Sequence, residues 1–207
     1  MIKLLNEREL CGMENQKFMN VVKSRFLERK LSIEQLVDDD KLLQQLLFLN
    51  NKVIECFNRG NKLIFCGNGG SAADCQHIVA EFVVKLSKLR KSLSAISLTS
   101  NNSIITAISN DIDYNTIFTR QLEGIAKRHD ILIGISTSGN SQNIINSFEF
   151  AKQNGIHTIS VTGDSNNKLL SIADTNIIIP SQNTQIIQEV YLMIFHILCE
   201  KLDEVYE

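Results

Sequence analysis

From Lys62 onward, short apolar runs alternate with segments of helix length, and this alternation limits what the chain can fold into more than any other feature. The runs are Lys62–Cys66, Leu93–Leu98, Ile131–Ile135, His157–Val161 and Thr175–Ile179. They are rich in β-branched and other apolar residues, as strands covered on both faces require. Helical patterns occupy Ser71–Leu86, Thr116–Lys127, Gln142–Asn154 and Thr184 to about Leu202. Strands joined through helices pair in parallel, so the expected fold is an α/β domain with a five-stranded parallel sheet flanked by helices. Ligands of such sheets gather at the carboxyl ends of the strands. The loops after Cys66 and Ile135 are therefore the places to look for chemistry.

Residues 1–38 read as an N-terminal helical segment, and 39–207 as the α/β domain. Asp39 and Asp40 can cap a helix whose apolar positions Leu42, Leu43, Leu46, Leu47, Val53, Ile54 and Phe57 recur at helical spacing up to Gly60. That stripe needs a partner, either the sheet or another subunit. With 207 residues, 43% of them hydrophobic, the chain can bury a substantial core. Its 21 basic and 23 acidic residues nearly cancel, which points away from a nucleic-acid or membrane surface. The apolar runs fall far short of the roughly 20 residues that cross a bilayer. Met1–Cys11 lacks a signal-peptide core, so a cytoplasmic protein is expected. Cys11, Cys56, Cys66, Cys75 and Cys199 form no CxxC pair and read as reduced, mostly buried thiols.

The first loop is Gly67-Asn68-Gly69-Gly70-Ser71, where glycines let the backbone approach a ligand and the helix start offers free N–H groups. Taken alone it is equally a tight turn with Ser71 as an ordinary cap. The second, Ser136-Thr137-Ser138-Gly139-Asn140-Ser141, also joins a strand to a helix, and its hydroxyls and amides suit a phosphate. Its Ser and Thr residues are also common turn formers. Two such loops at one sheet edge favour a binding site over two coincidental turns.

His77 and Glu81 lie one helical turn apart, on one helix face just beyond the first loop. By themselves they are more readily a surface or core histidine and an unrelated solvated carboxylate. Gln188 and His196 share the last predicted helix, separated by about 12 Å of rise and roughly 80° of rotation. His196 sits in an apolar stretch, where a histidine satisfied by backbone is common.

The segment CGNGGSAADCQHIVAE from Cys66 to Glu81, with GISTSGNS from Gly134 to Ser141 and IQE from Ile187 to Glu189, resembles the sugar isomerase (SIS) domain family. The likeness is to its phosphoheptose isomerase branch and runs from about Asp39 to Leu202. It implies a flavodoxin-like fold and a homotetramer with active sites shared between subunits. The implied reaction converts sedoheptulose 7-phosphate to D-glycero-D-manno-heptose 7-phosphate, the first step toward nucleotide-activated heptose for lipopolysaccharide or capsule. Glu81 matches the family's general base and His196 its partner acid. Ser136, Thr137, Ser138 and Ser141 match its phosphate loop. Asn68, Gly69, Gly70, Ser71, Asn110, Asp111 and Gln188 match substrate-contacting positions. His77, Glu81, Gln188 and His196 match positions that hold zinc in some members, which implies one ion per subunit.

Two departures stand out. Lys85 replaces an Arg commonly found four residues after the base, and keeps the charge without the planar fork. On a helix running to Leu86 it would share the Glu81 face and reach toward substrate. Gln185 and Ile186 replace a polar or small residue and an Arg before IQE. Rival readings are a non-catalytic regulator that binds a replication initiator protein, opposed by the presence of Glu81 and His196, and an isomerase of another sugar phosphate.

Overall fold

The computed structural model describes residues 7–163 and 166–207. The chain divides into two compact units, Met1–Asp38 and Asp39–Glu207. Among the described residues the first holds one helix, α1 (Glu7–Val37), which leaves Phe18, Phe26, Leu27 and Leu31 exposed.

The second unit opens with α2 (Asp40–Asn58), started by the Asp39 carboxylate accepting from the Leu42 amide at 2.9 Å. There follow β1 (Leu63–Gly67), α3 (Gly70–Val83), β2 (Ala95–Ser97), α4 (Asn102–Asp111), a 3-10 turn (Tyr114–Thr116) and α5 (Thr119–Ile125). Next come β3 (Ile131–Ile135), α6 (Gln142–Gln153), β4 (His157–Thr162), the short α7 (Leu169–Ile172), β5 (Thr175–Ile178) and α8 (Thr184–Val205). All five strands pair in parallel in the order β2-β1-β3-β4-β5, which is the flavodoxin-like order. The expected α/β class and five-stranded sheet are therefore present.

Strand alternation divides the core between the two sheet faces. Phe65 of β1 meets Phe82 of α3 and Phe195 of α8, with ring centroids at 5.8 and 5.6 Å. Its neighbours Ile64 and Cys66 join Leu122, Ile144 and Phe148 in a cluster on the other face. The central strands β1 and β3 are buried at every position, as their unbroken apolar runs require. No described helix is long and apolar enough to cross a membrane.

Most boundaries fall within a residue or so of the sequence-based expectation, and three elements are clearly shorter. β2 is limited to the three residues that pair with Leu63–Phe65 of β1. α5 begins at Thr119, because Asp113 captures the Asn115 amide and turns the preceding residues into a 3-10 turn. α3 stops at Val83 and does not reach Leu86. Two β-branched residues, Val83 and Val84, weaken the helix there, and the Arg90 guanidinium takes up the carbonyls of Glu81 and Phe82. Helix α4 was not expected. Its Asn101 cap accepts from the Ile104 amide at 3.1 Å.

Candidate active site

From β1 the sheet grows to β2 on one side and to β3 on the other, so the topological switch lies between β1 and β3. The crevice at the carboxyl ends of such strands is where open α/β sheets hold ligands. The Gly67–Ser71 loop leaves β1 and the Ser136–Ser141 loop leaves β3, so both open onto that crevice. The side chains of Asn68 and Asn143 exchange amide hydrogen bonds of 2.9 and 3.0 Å and tie the loops together. The Tyr114 hydroxyl also donates to Asn68. A cavity of about 370 Å³ lies beside the first loop, lined by Asn68, Gly69, Ala73, Gln76 and Thr99 among others.

In the second loop, Ser136 is buried, and its hydroxyl lies 3.1 Å from that of Ser141, the residue that precedes α6. Ser141 makes no side-chain cap to the helix, and its carbonyl takes the Ile144 and Ile145 amides, which leaves the amides of Gln142 and Asn143 to suit an anion. Gly139 has φ +62°, and a Cβ there would overlap the Asn167 side chain, so this turn requires glycine. Thr137 and Ser138 line a separate cavity of about 320 Å³ with Ser181, Gln182 and Ile187.

Helix α3 carries Gly70, Asp74, His77 and Glu81 at steps of three and four residues, hence along one stripe. His77 Nε2 stands 3.3 Å from Glu81 Oε1. Across the packed pair α3 and α8, the His196 ring meets the His77 ring edge-on at 5.3 Å between centroids. The structure thus gathers His77, Glu81 and His196, which are spread over 120 residues of sequence. His196 Nε2 is buried and has no hydrogen-bond partner among the described residues.

Gln188 goes elsewhere. Its amide covers Gly70 so closely that a Cβ there would lie 2.5 Å from Nε2. Gly70 is seven residues before His77, about 10 Å of helix rise away. Ser71 is buried, its hydroxyl 3.1 Å from that of Tyr191, which donates its hydrogen to the Asp74 carboxylate. Burial, reinforced by the Asp74 carboxylate, pushes the Tyr191 phenol far up and keeps it protonated. Asn110 and Asp111 form the exposed end of α4 and bond each other at 2.7 Å. Lys85 follows α3 and is exposed, so the expectation that a continuing helix carries it on the Glu81 face does not hold.

Two imidazoles and a carboxylate are donors that zinc accepts, and the unpartnered His196 Nε2 is the kind of atom a metal would satisfy. Among the described residues, however, no three His, Cys, Asp or Glu side chains are drawn together as a metal site. Asn143, Tyr114, Asp74 and Tyr191 escaped the reading of the sequence, because their roles depend on partners far away in the chain.

The SIS domain family pattern matches residues 30–163. The probable phosphoheptose isomerase of Thermoplasma acidophilum is 46% identical over 162 residues, 78% of this chain and 89% of that protein. The phosphoheptose isomerase of Clostridium acetobutylicum is 45% identical over 83% of this chain and 87% of its own length. Among solved structures, phosphoheptose isomerase from Neisseria gonorrhoeae superposes with a TM-score of 0.84 at 30% identity, covering 90% of this chain and 99% of that one.

Proposed function

Since the chain belongs to the SIS domain family and, within it, to the phosphoheptose isomerases, we infer that it is an aldose–ketose isomerase that converts sedoheptulose 7-phosphate to D-glycero-D-manno-heptose 7-phosphate. The observation that carries this reading is the meeting of Glu81 and His77 on α3 with His196 on α8, on the helix that starts from the first of two loops at the switch point.

Isomerisation moves a proton between adjacent carbons through an enediol. In the proposed mechanism Glu81 removes the C1 proton of the ketose and returns it to C2. His196 moves the accompanying proton between the two oxygens. Ser136, Thr137, Ser138 and Ser141, with the Gln142 and Asn143 amides at the start of α6, bind the phosphate and set the distance from the base to the reacting carbons. Asn68, Gly69, Gly70, Ser71, Asn110, Asp111 and Gln188 belong to the sugar-binding set, and the Asn68–Asn143 pair keeps the two loops in register.

Zinc forms part of the proposal, one ion per subunit held by His77, Glu81 and His196; Gln188, the fourth residue the resemblance implies, lies over Gly70 and is assigned to the sugar instead. When bound it supplies Lewis-acid polarisation of the substrate carbonyl. Metal analysis of the purified protein is expected to find about one zinc per chain, and turnover unaffected by removing all metal would refute the assignment.

A homotetramer is proposed as well. Leu47 and Ile197 are more than half exposed beside an apolar groove of about 320 Å³ between α2 and α8, which suits burial against further copies. Light scattering should report four chains, whereas a fully active monomer would rule out a shared site. The reaction itself is tested by incubating the protein with pentulose, hexulose and heptulose phosphates and following aldose formation. Sedoheptulose 7-phosphate should be turned over best, and preference for a shorter ketose phosphate would refute the substrate assignment.

A further inference from the structure

The end of α3 nearest Glu81 is held by an ion pair removed from solvent. Arg90 and Asp203 have fully buried side chains, and Arg90 Nε donates to Asp203 Oδ1 at 2.6 Å. The rest of the guanidinium is spent on backbone. Nη2 donates to the carbonyl of Glu81 at 2.9 Å, and Nη1 to those of Phe82 at 2.9 Å and Lys91 at 3.1 Å. Glu81 and Phe82 lie in the last turn of α3, where carbonyls lack intrahelical donors and a cation is favourably placed.

Asp203 is in the last turn of α8 and accepts, through its other oxygen, from the amides of Ser87 and Lys88 at 2.7 and 3.0 Å. Burial alone would raise its carboxyl, but these amides and the guanidinium outweigh it and hold the group below the usual aspartate range. One residue of α8 therefore fixes the segment after α3, and through Arg90 it fixes the backbone of Glu81 itself. The same helix α8 carries His196.

We propose that Arg90, anchored by Asp203, is a positioning residue for the isomerisation: it sets the Glu81 backbone against α8 and so fixes the separation of Glu81 from His196. This rests on the reading of Glu81 as the base. Stability alone does not account for the arrangement, since apolar residues of similar volume often replace a buried ion pair at no cost. Turnover, by contrast, is sensitive to the placement of a reacting group at the level of 1 Å, which can change rates by about 100-fold.

The test is Arg90→Lys, which keeps a charge opposite Asp203 but cannot serve three carbonyls from one plane. Lys62→Met is the control. It breaks a second largely buried pair, Lys62–Asp130, at the amino ends of β1 and β3, away from the two loops, and touches no proposed site residue. Both are assayed with sedoheptulose 7-phosphate at a temperature where circular dichroism shows them fully folded. Arg90→Lys is expected to lose at least tenfold in kcat with KM within threefold of the parent, whereas Lys62→Met keeps kcat within twofold. Arg90→Lys within twofold of the parent, or an equal loss in Lys62→Met, overturns the proposal. If Arg90→Lys does not fold, Asp203→Asn is read by the same criteria, and failure of both to fold overturns a positioning role in favour of a purely structural one. Glu81→Gln in the same assay separates the two ideas: its full activity would sink the base assignment, while its inactivity beside an active Arg90→Lys would sink only the present inference.

Discussion

Replacing Gly70 by Ala separates the geometry of the site from the stability of the fold. A Cβ at this position would stand 2.5 Å from Gln188 Nε2, against the 3.4 Å or more of an ordinary contact, so the amide must retreat by about 1 Å. The obstructing atom ends a flexible side chain, and an off-rotamer adjustment costs about 0.5 to 1.5 kcal/mol. Exchanging helical Gly for Ala returns about 0.4 to 1 kcal/mol through the unfolded chain. The two nearly cancel, and Tm should move by less than about 4 °C. Activity should not be spared, because Gln188 belongs to the proposed substrate-binding set; a displacement near 1 Å predicts a loss of about 10- to 100-fold in kcat/KM. Gly134→Ala is the counterpart. Its Cβ would meet Phe148 Cε1 at 2.5 Å and Ile144 Cγ2 at 2.8 Å inside the core, an overpacking worth about 1 to 3 kcal/mol. Melting curves and kcat/KM on sedoheptulose 7-phosphate should therefore rank the variants in opposite orders. Unchanged kcat/KM in Gly70→Ala, or a fall in Tm as large as that of Gly134→Ala, would refute the reasoning.

Acid should weaken the fold through Asp130 and Asp203. Both carboxyls would rise on burial alone, yet Lys62 and Asn61 at Asp130, and the Ser87 and Lys88 amides with Arg90 at Asp203, hold them below the ordinary value. A lowered folded pKa means that the unfolded chain binds the proton more tightly. The stability these groups add is complete above about pH 4 and is lost as pH falls through the folded values. Urea midpoints between pH 6 and pH 2.5 should decline less steeply in Asp130→Asn than in the parent, and equal slopes would contradict the assignment. Lys85, exposed beyond the end of α3, tests how far substrate contacts extend. If it bonds substrate, Lys85→Ala loses about 10- to 150-fold in kcat/KM, whereas a loss no larger than that of Lys88→Ala would show it to be merely solvated.

The sheet was legible because β1 and β3 are buried on both faces and cannot be written except as continuous apolar runs; β3 occupies the residues its pattern marks, Ile131–Ile135. Helix α4 was not, since Asn101, Asn102 and Ser103 at its start and Ser109, Asn110 and Asp111 at its end read as loop, although Asn101 is its cap. The end of α3 depended on information outside the helix. Arg90 and Asp203, which terminate and anchor it, are 113 residues apart. The same holds at the site, where His77 and Glu81 announce themselves by spacing, but the Asn68–Asn143 pair spans 75 residues and the orphaned His196 nitrogen is a product of packing. Periodicity reports what one element buries, and it carries no information about which distant element supplies a polar partner.

The most direct measurement is the turnover of Glu81→Gln on sedoheptulose 7-phosphate, with binding of the sugar phosphate followed separately by calorimetry. Glutamine keeps the shape of the side chain and removes the base, and general-base catalysis contributes about 10²- to 10⁴-fold. The account predicts a folded protein that binds the substrate with affinity near that of the parent and has lost at least 100-fold in kcat; turnover within about threefold of the parent would contradict it.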